Sequence, residues 1–114
     1  MCNIDYDMPD LYSQSYRIAK KRHVCYECAR FIEPKEKYSY VFAIYGKENS
    51  SYKTCYHCFM GQEWLLKTCG GFLHGNLEEE IKEHAEDYKR MDLYRFVVGI
   101  NKKWNKLNIP KLKD

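Results

Sequence analysis

Apolar and polar positions change rhythm along the 114 residues of the chain. From Lys37 to Tyr45 they alternate: Tyr38, Tyr40, Phe42 and Ile44 share one parity, and Ser39, Val41 and Ala43 the other. Period two in a run rich in aromatic and β-branched side chains predicts a strand. Gly46-Lys47-Glu48-Asn49-Ser50 is turn chemistry, and Ser51 to Thr54 predicts a returning strand, so 37–54 reads as a β-hairpin. From Cys58 to Lys67 the pattern turns helical, interrupted only by Gly61 and stopped by Gly70-Gly71. Asn76 with Glu79 three residues on has the form of a capping box. Leu77, Ile81, Ala85, Tyr88, Met91 and Tyr94 then recur at helical spacing, which predicts one continuous helix over 76–98 with Gly99 as its stop. Its acid-rich first turns suit the helix dipole. The ends are less regular: residues 1–19 read as an irregular arm, with a short helix after Pro9 as an option, and 100–114 as a basic tail.

The cysteines set the centre of this plan. Cys25-Tyr26-Glu27-Cys28 and Cys55-Tyr56-His57-Cys58 are two Cys-x-x-Cys pairs flanking the hairpin. A pair two residues apart can grip one metal from a tight turn, and a second pair closes the tetrahedron. Four sulfurs leave no open position, so the expectation is one structural Zn2+ held by Cys25, Cys28, Cys55 and Cys58. Six cysteines also allow disulfides, but the paired spacing is ligand spacing and the acidic N-terminus lacks the apolar run of a secretory signal. The expectation is a soluble protein of a reducing cytosol. A single domain over 1–114, with a four-cysteine module at 20–69, buries only a modest core, and structural zinc contributes on the order of 10 kcal/mol to such folds.

Knuckle, hairpin, then a second pair at a helix start is the order of a treble clef; a zinc ribbon would put the second pair on another hairpin. The fold class expected is therefore α+β, a small zinc-stabilised treble-clef (or zinc-ribbon) domain with a β-hairpin and a long C-terminal helix. Residues 20–58 resemble small treble-clef or zinc-ribbon proteins encoded by phages and prophages. The matching stretches are Cys25 to Cys28, Ile32-Glu33-Pro34-Lys35-Glu36-Lys37-Tyr38 and Tyr52-Lys53-Thr54-Cys55, behind a basic lead-in. The resemblance implies a zinc scaffold in a mobile-element setting, with the four cysteines as ligands and nothing catalytic.

An HNH-like nuclease is the nearest enzymatic alternative. It needs a histidine base in the hairpin, and no histidine lies between Cys28 and Cys55. His57 lies inside the second pair and His23 two residues before the first, and both are weaker ligand candidates. Cys69, His74 and His84 could form a second metal or nucleophile site, but their spacing is unspecific, so a buried free thiol and surface imidazoles are expected instead. Cys2 reads as inert.

The formal charge is +3, which four thiolates and one dication would bring to about +1. That argues against strong nonspecific nucleic-acid binding. Charge is nevertheless clustered: Arg17, Lys20, Lys21 and Arg22 before the first knuckle, acids at 78–87, and Lys102, Lys103, Lys106, Lys111 and Lys113 in the tail. Eleven tyrosines and two tryptophans are more than a small core absorbs. Tyr and Trp anchor interfaces and also stack on single-stranded bases. The expected partner-binding residues are Arg17, Lys20, Lys21, Arg22, Tyr40, Tyr45, Tyr52, Lys53, Lys102, Lys103 and Trp104. The expected activity is non-enzymatic: binding and blocking a host macromolecular complex, such as a CRISPR-type or restriction defence machine. A protein or ribonucleoprotein is the expected partner, with no membrane. The alternative is a regulatory nucleic-acid-binding zinc module.

Overall fold

In the computed structural model, which describes residues 9–105 with Pro110 and Leu112, the elements run in a simple order. They are β1 (Leu11–Ile18), β2 (His23–Val24), β3 (Phe31–Ile32), β4 (Lys37–Tyr45), β5 (Glu48–Cys55), α1 (Tyr56–Cys69), α2 (Leu77–Tyr88) and α3 (Met91–Asn101). Among the described residues the chain is a small α+β protein with two antiparallel sheets. β2 and β3 form a two-stranded sheet, and β1, β4 and β5 form the larger one with β4 in the centre.

β4 runs where its alternation predicts, and Tyr45 pairs with Glu48 across the two residues Gly46-Lys47. Gly46 has φ 61, a backbone state that suits glycine in so short a turn. β5 is therefore longer than Ser51–Thr54. The irregular arm is corrected: Leu11–Ile18 is a strand, paired antiparallel from Leu11↔Ile44 to Ile18↔Lys37. All of β1 is exposed, so hydrophobic burial left no alternation in its sequence to read.

Directly paired residues share a sheet face. Ser39, Val41 and Ala43 are buried on the face that α1 covers, where Tyr16 meets Phe59 edge-to-face at 5.3 Å. The opposite face carries Tyr40, Phe42 and Ile44, all half-buried.

The continuous helix over 76–98 is also corrected. Lys89 takes a left-handed conformation (φ 52) and ends α2, and Arg90 is extended before α3 begins. The packing explains the break. At 3.6 residues per turn, Leu93 would lie about 160° round an unbroken helix from Leu77. Both are buried in one core. The break lets Leu77, Ile81 and Ala85 of α2, and Leu93, Phe96, Val97 and Ile100 of α3, converge there, while Tyr88 and Met91 at the corner are exposed. Arg90 fixes the corner, its guanidinium bonded to Asp92 and 5.4 Å from the Trp64 ring centroid.

Gly99 does not stop α3; it is a socket. A Cβ there would lie 2.2 Å from the Trp104 ring. Trp104 N–H donates to Gly99 O and Lys103 N–H to Ile100 O, a Schellman closure with Lys103 left-handed. Gly61 plays the same part for Phe96, whose ring would lie 2.5 Å from an added Cβ.

Candidate metal centre

The Cys25–Cys28 pair sits in the turn between β2 and β3. Cys25 N–H donates to Arg30 O and Ala29 N–H to Cys25 O, with Ala29 left-handed (φ 64) to close the turn. β5 ends on Cys55, and Cys58 lies in the first turn of α1, where the helix dipole favours thiolate. The four sulfurs lie within 4.8 Å of one another and all four residues are buried free cysteines. Thiolates about 2.3 Å from a tetrahedral ion stand about 3.8 Å apart. Cys28 Sγ and Cys55 Sγ are 3.8 Å apart, so the donor set fits one small tetrahedral metal ion.

Two N–H groups donate to the sulfurs. Cys55 N–H donates to Cys25 Sγ and the Trp104 indole N–H to Cys58 Sγ, each at 3.3 Å. Within the thiol cluster itself, sulfur–sulfur hydrogen bonding pulls Cys25 down and pushes Cys55 and Cys58 up. A cation is what would let all four ionise together.

Glu27, between the first two ligands, is a residue that spacing gave no reason to select. Its carboxylate accepts from Gln62 Nε2 at 2.7 Å, from Gly75 N–H at 3.1 Å and from Leu77 N–H at 3.2 Å. It thus caps α2, while Asn76 makes no side-chain cap bond, which corrects the expected capping box. Burial outweighs these donors and holds the Glu27 carboxyl above its ordinary range.

The histidines scatter. His57 is tilted against Trp104 and belongs to no metal cluster. His74 stacks on Tyr52 at 4.3 Å, and burial lowers its pKa to about 4. His84 is 3 % exposed, not a surface imidazole, and its Nε2 is 3.3 Å from Cys69 Sγ. Cys69 is half-buried and disulfide-bonded rather than a free thiol. Cys2 lies outside the described residues. Among the described residues no second metal cluster forms.

The expected partner-binding residues separate into groups. Arg17, Lys20, Lys21, Tyr40 and Lys53 come together, with His23, Tyr38 and Ser51, around a groove of about 860 Å³. Arg17 lies over the Tyr40 ring at 3.8 Å. Arg22 is engaged elsewhere, bonded to Glu33 at 2.8 Å and lying over Phe31. Tyr45 and Tyr52 line a separate, mostly apolar cavity of about 670 Å³ between the large sheet, α1 and the 70–74 loop, with Tyr12, Phe72 and His74. Lys102 and Lys103 are exposed beyond α3, but Trp104 is 3 % exposed and belongs to the core, not to a surface. No described helix is long and apolar enough to cross a membrane. No family model, no curated protein and no solved structure matches the chain.

Proposed function

We propose that the chain is a zinc-stapled treble clef that acts by occupying an anionic surface on a larger macromolecular partner, without turnover. The zinc reading is supported by the tetrahedral spacing of four buried sulfurs drawn from a knuckle turn and a helix start. A closed four-sulfur site gives the metal a structural task and leaves no position for substrate. The observation that carries the binding reading is the groove. Arg17, Lys20, Lys21 and Lys53 arrive from β1, the β1–β2 link and β5, and no carboxylate of the described residues is within ion-pair distance of them. Concentrated positive charge of this kind steers and holds negatively charged partners. The phage resemblance puts that partner in a host machine, a defence complex being the first candidate, and a ribonucleoprotein meets the charge requirement.

The test joins metal analysis to titration. Purified protein should hold about one equivalent of zinc, and Cys55→Ser should lose the metal and the fold together. Against the isolated partner, inhibition should saturate near one equivalent. Loss of partner function at far substoichiometric amounts, with the partner cleaved or modified, would overturn the reading and reveal an enzyme.

A further inference from the structure

We propose that the open face of the β1–β4–β5 sheet is a groove for single-stranded nucleic acid. The inference rests on the surface-occupancy reading and names its partner. By register, this face carries Arg17, Ser15, Ser13 and Leu11 on β1, Tyr38, Tyr40, Phe42 and Ile44 on β4, and Asn49, Ser51 and Lys53 on β5. None of these residues is acidic. The acids of residues 78–87 lie on α2, so the near-neutral total conceals a segregated charge. α1 packs on the other face, and β2 reaches this one through His23, which contacts the Tyr38 ring and stands 3.3 Å from Lys53 Nζ. Tyr40 packs partly against the core, and Phe42 and Ile44 are half-buried.

The central strand supplies two stacking stations. Tyr40 and Phe42, two residues apart on one face, stand about 7 Å apart along the strand, a spacing an extended run of nucleotides can follow. At the first station the planar guanidinium of Arg17 lies on Tyr40 and itself offers a surface for a base. Phe42 is the second. Lys53 on β5, with Lys20 and Lys21 beyond the end of β1, flanks this column as phosphate partners. Aromatic rings between cations suit unpaired bases, whose faces a duplex hides. An acidic protein would satisfy the lysines but leave the ring column without a role.

The experiment is fluorescence anisotropy of metal-loaded protein with labelled twelve-residue oligo(dT) and oligo(U), between 50 and 200 mM salt. Saturable binding is expected, with log K falling on log salt at a slope of about −2 for three phosphate contacts. Lys53→Glu should weaken it and flatten the slope. Phe42→Ala should weaken it about tenfold with the slope unchanged, as loss of one stacked base does. Phe42→Leu replaces it if the alanine variant melts early, and a duplex of equal length should bind more weakly. Absence of saturable binding at 50 mM salt, or binding indifferent to Phe42, overturns the proposal. A partner protein that binds through Lys53 while both oligonucleotides fail overturns it and leaves the surface-occupancy reading standing. Cleavage of the oligonucleotide overturns both.

Discussion

The indole of Trp104 donates its N–H to Cys58 Sγ at 3.3 Å, so the residue just past the last helix touches a cysteine of the candidate metal centre 46 positions earlier. The same ring fills the space over Gly99 and meets Phe96 edge-to-face at 4.9 Å. Two effects can therefore be separated. Trp104→Phe keeps most of the packing and removes the hydrogen bond, which should cost about 1 kcal/mol. With cobalt in the site, its thiolate-to-metal absorption should shift. Trp104→Ala should cost about 3–5 kcal/mol by thermal or denaturant unfolding. Equal losses in the two variants would assign the whole effect to the hydrogen bond.

Glu27 joins the knuckle to the start of α2. Glu27→Ala leaves Gln62 Nε2 and the N–H groups of Gly75 and Leu77 without their acceptor. The expected loss is about 2 kcal/mol, since some of these donors can reach water. Amide hydrogen exchange should quicken first in the opening turn of α2 while metal content stays at one equivalent. Loss of metal in this variant would show that the carboxylate supports the site itself.

Gly61→Ala tests the socket under Phe96. An alanine in a helix is ordinarily favoured over glycine by about 0.5–1 kcal/mol. Here the added carbon would sit 2.5 Å from a buried ring, and overpacking of that kind costs about 1–3 kcal/mol. The net should be destabilising, read as a lower melting temperature. A stabilised variant would mean that α3 can move away freely.

His74 gives a pH signature remote from the metal. Burial lowers its pKa from 6.5 to about 4, so the fold favours the neutral ring. Its contribution is fully present above pH 6.5 and is lost as pH falls through about 4. Its neighbours are the rings of Tyr12, Tyr52 and Phe72, none of them charged in this range. Stability of the wild type should thus fall more steeply between those limits than that of His74→Phe. Parallel curves would place the ring in water.

The parts of this fold that could be read in advance are those where composition and geometry coincide. The cysteine spacing located the sulfur cluster because two tight turns must present it. The alternation of β4 is visible because one parity is buried under α1. Gly70, with φ 80, ends α1 as glycines do. What escaped reading lacked such a trace. β1 buries no face. The corner between α2 and α3 is made by Lys89, and the closure of α3 by Lys103, residues that seldom mark left-handed backbone. Trp104 looked like a surface anchor because its burial depends on Gly99, an apparent stop that is really a space for its ring. Glu27 was hidden for a different reason: its donors come from residues 35 to 50 positions away.

The two ties across the metal centre also bear on how the chain can be divided. A fragment ending at Cys69 would keep all four cysteines, yet it would strip the cover from Gly61, take the indole from Cys58 and leave Glu27 without the Gly75 and Leu77 donors. The smallest autonomous piece must therefore extend to Trp104. Shorter excerpts cut at the apparent edge of the four-cysteine segment would be metal-binding peptides with an exposed apolar wall, prone to self-association, rather than miniature versions of this protein.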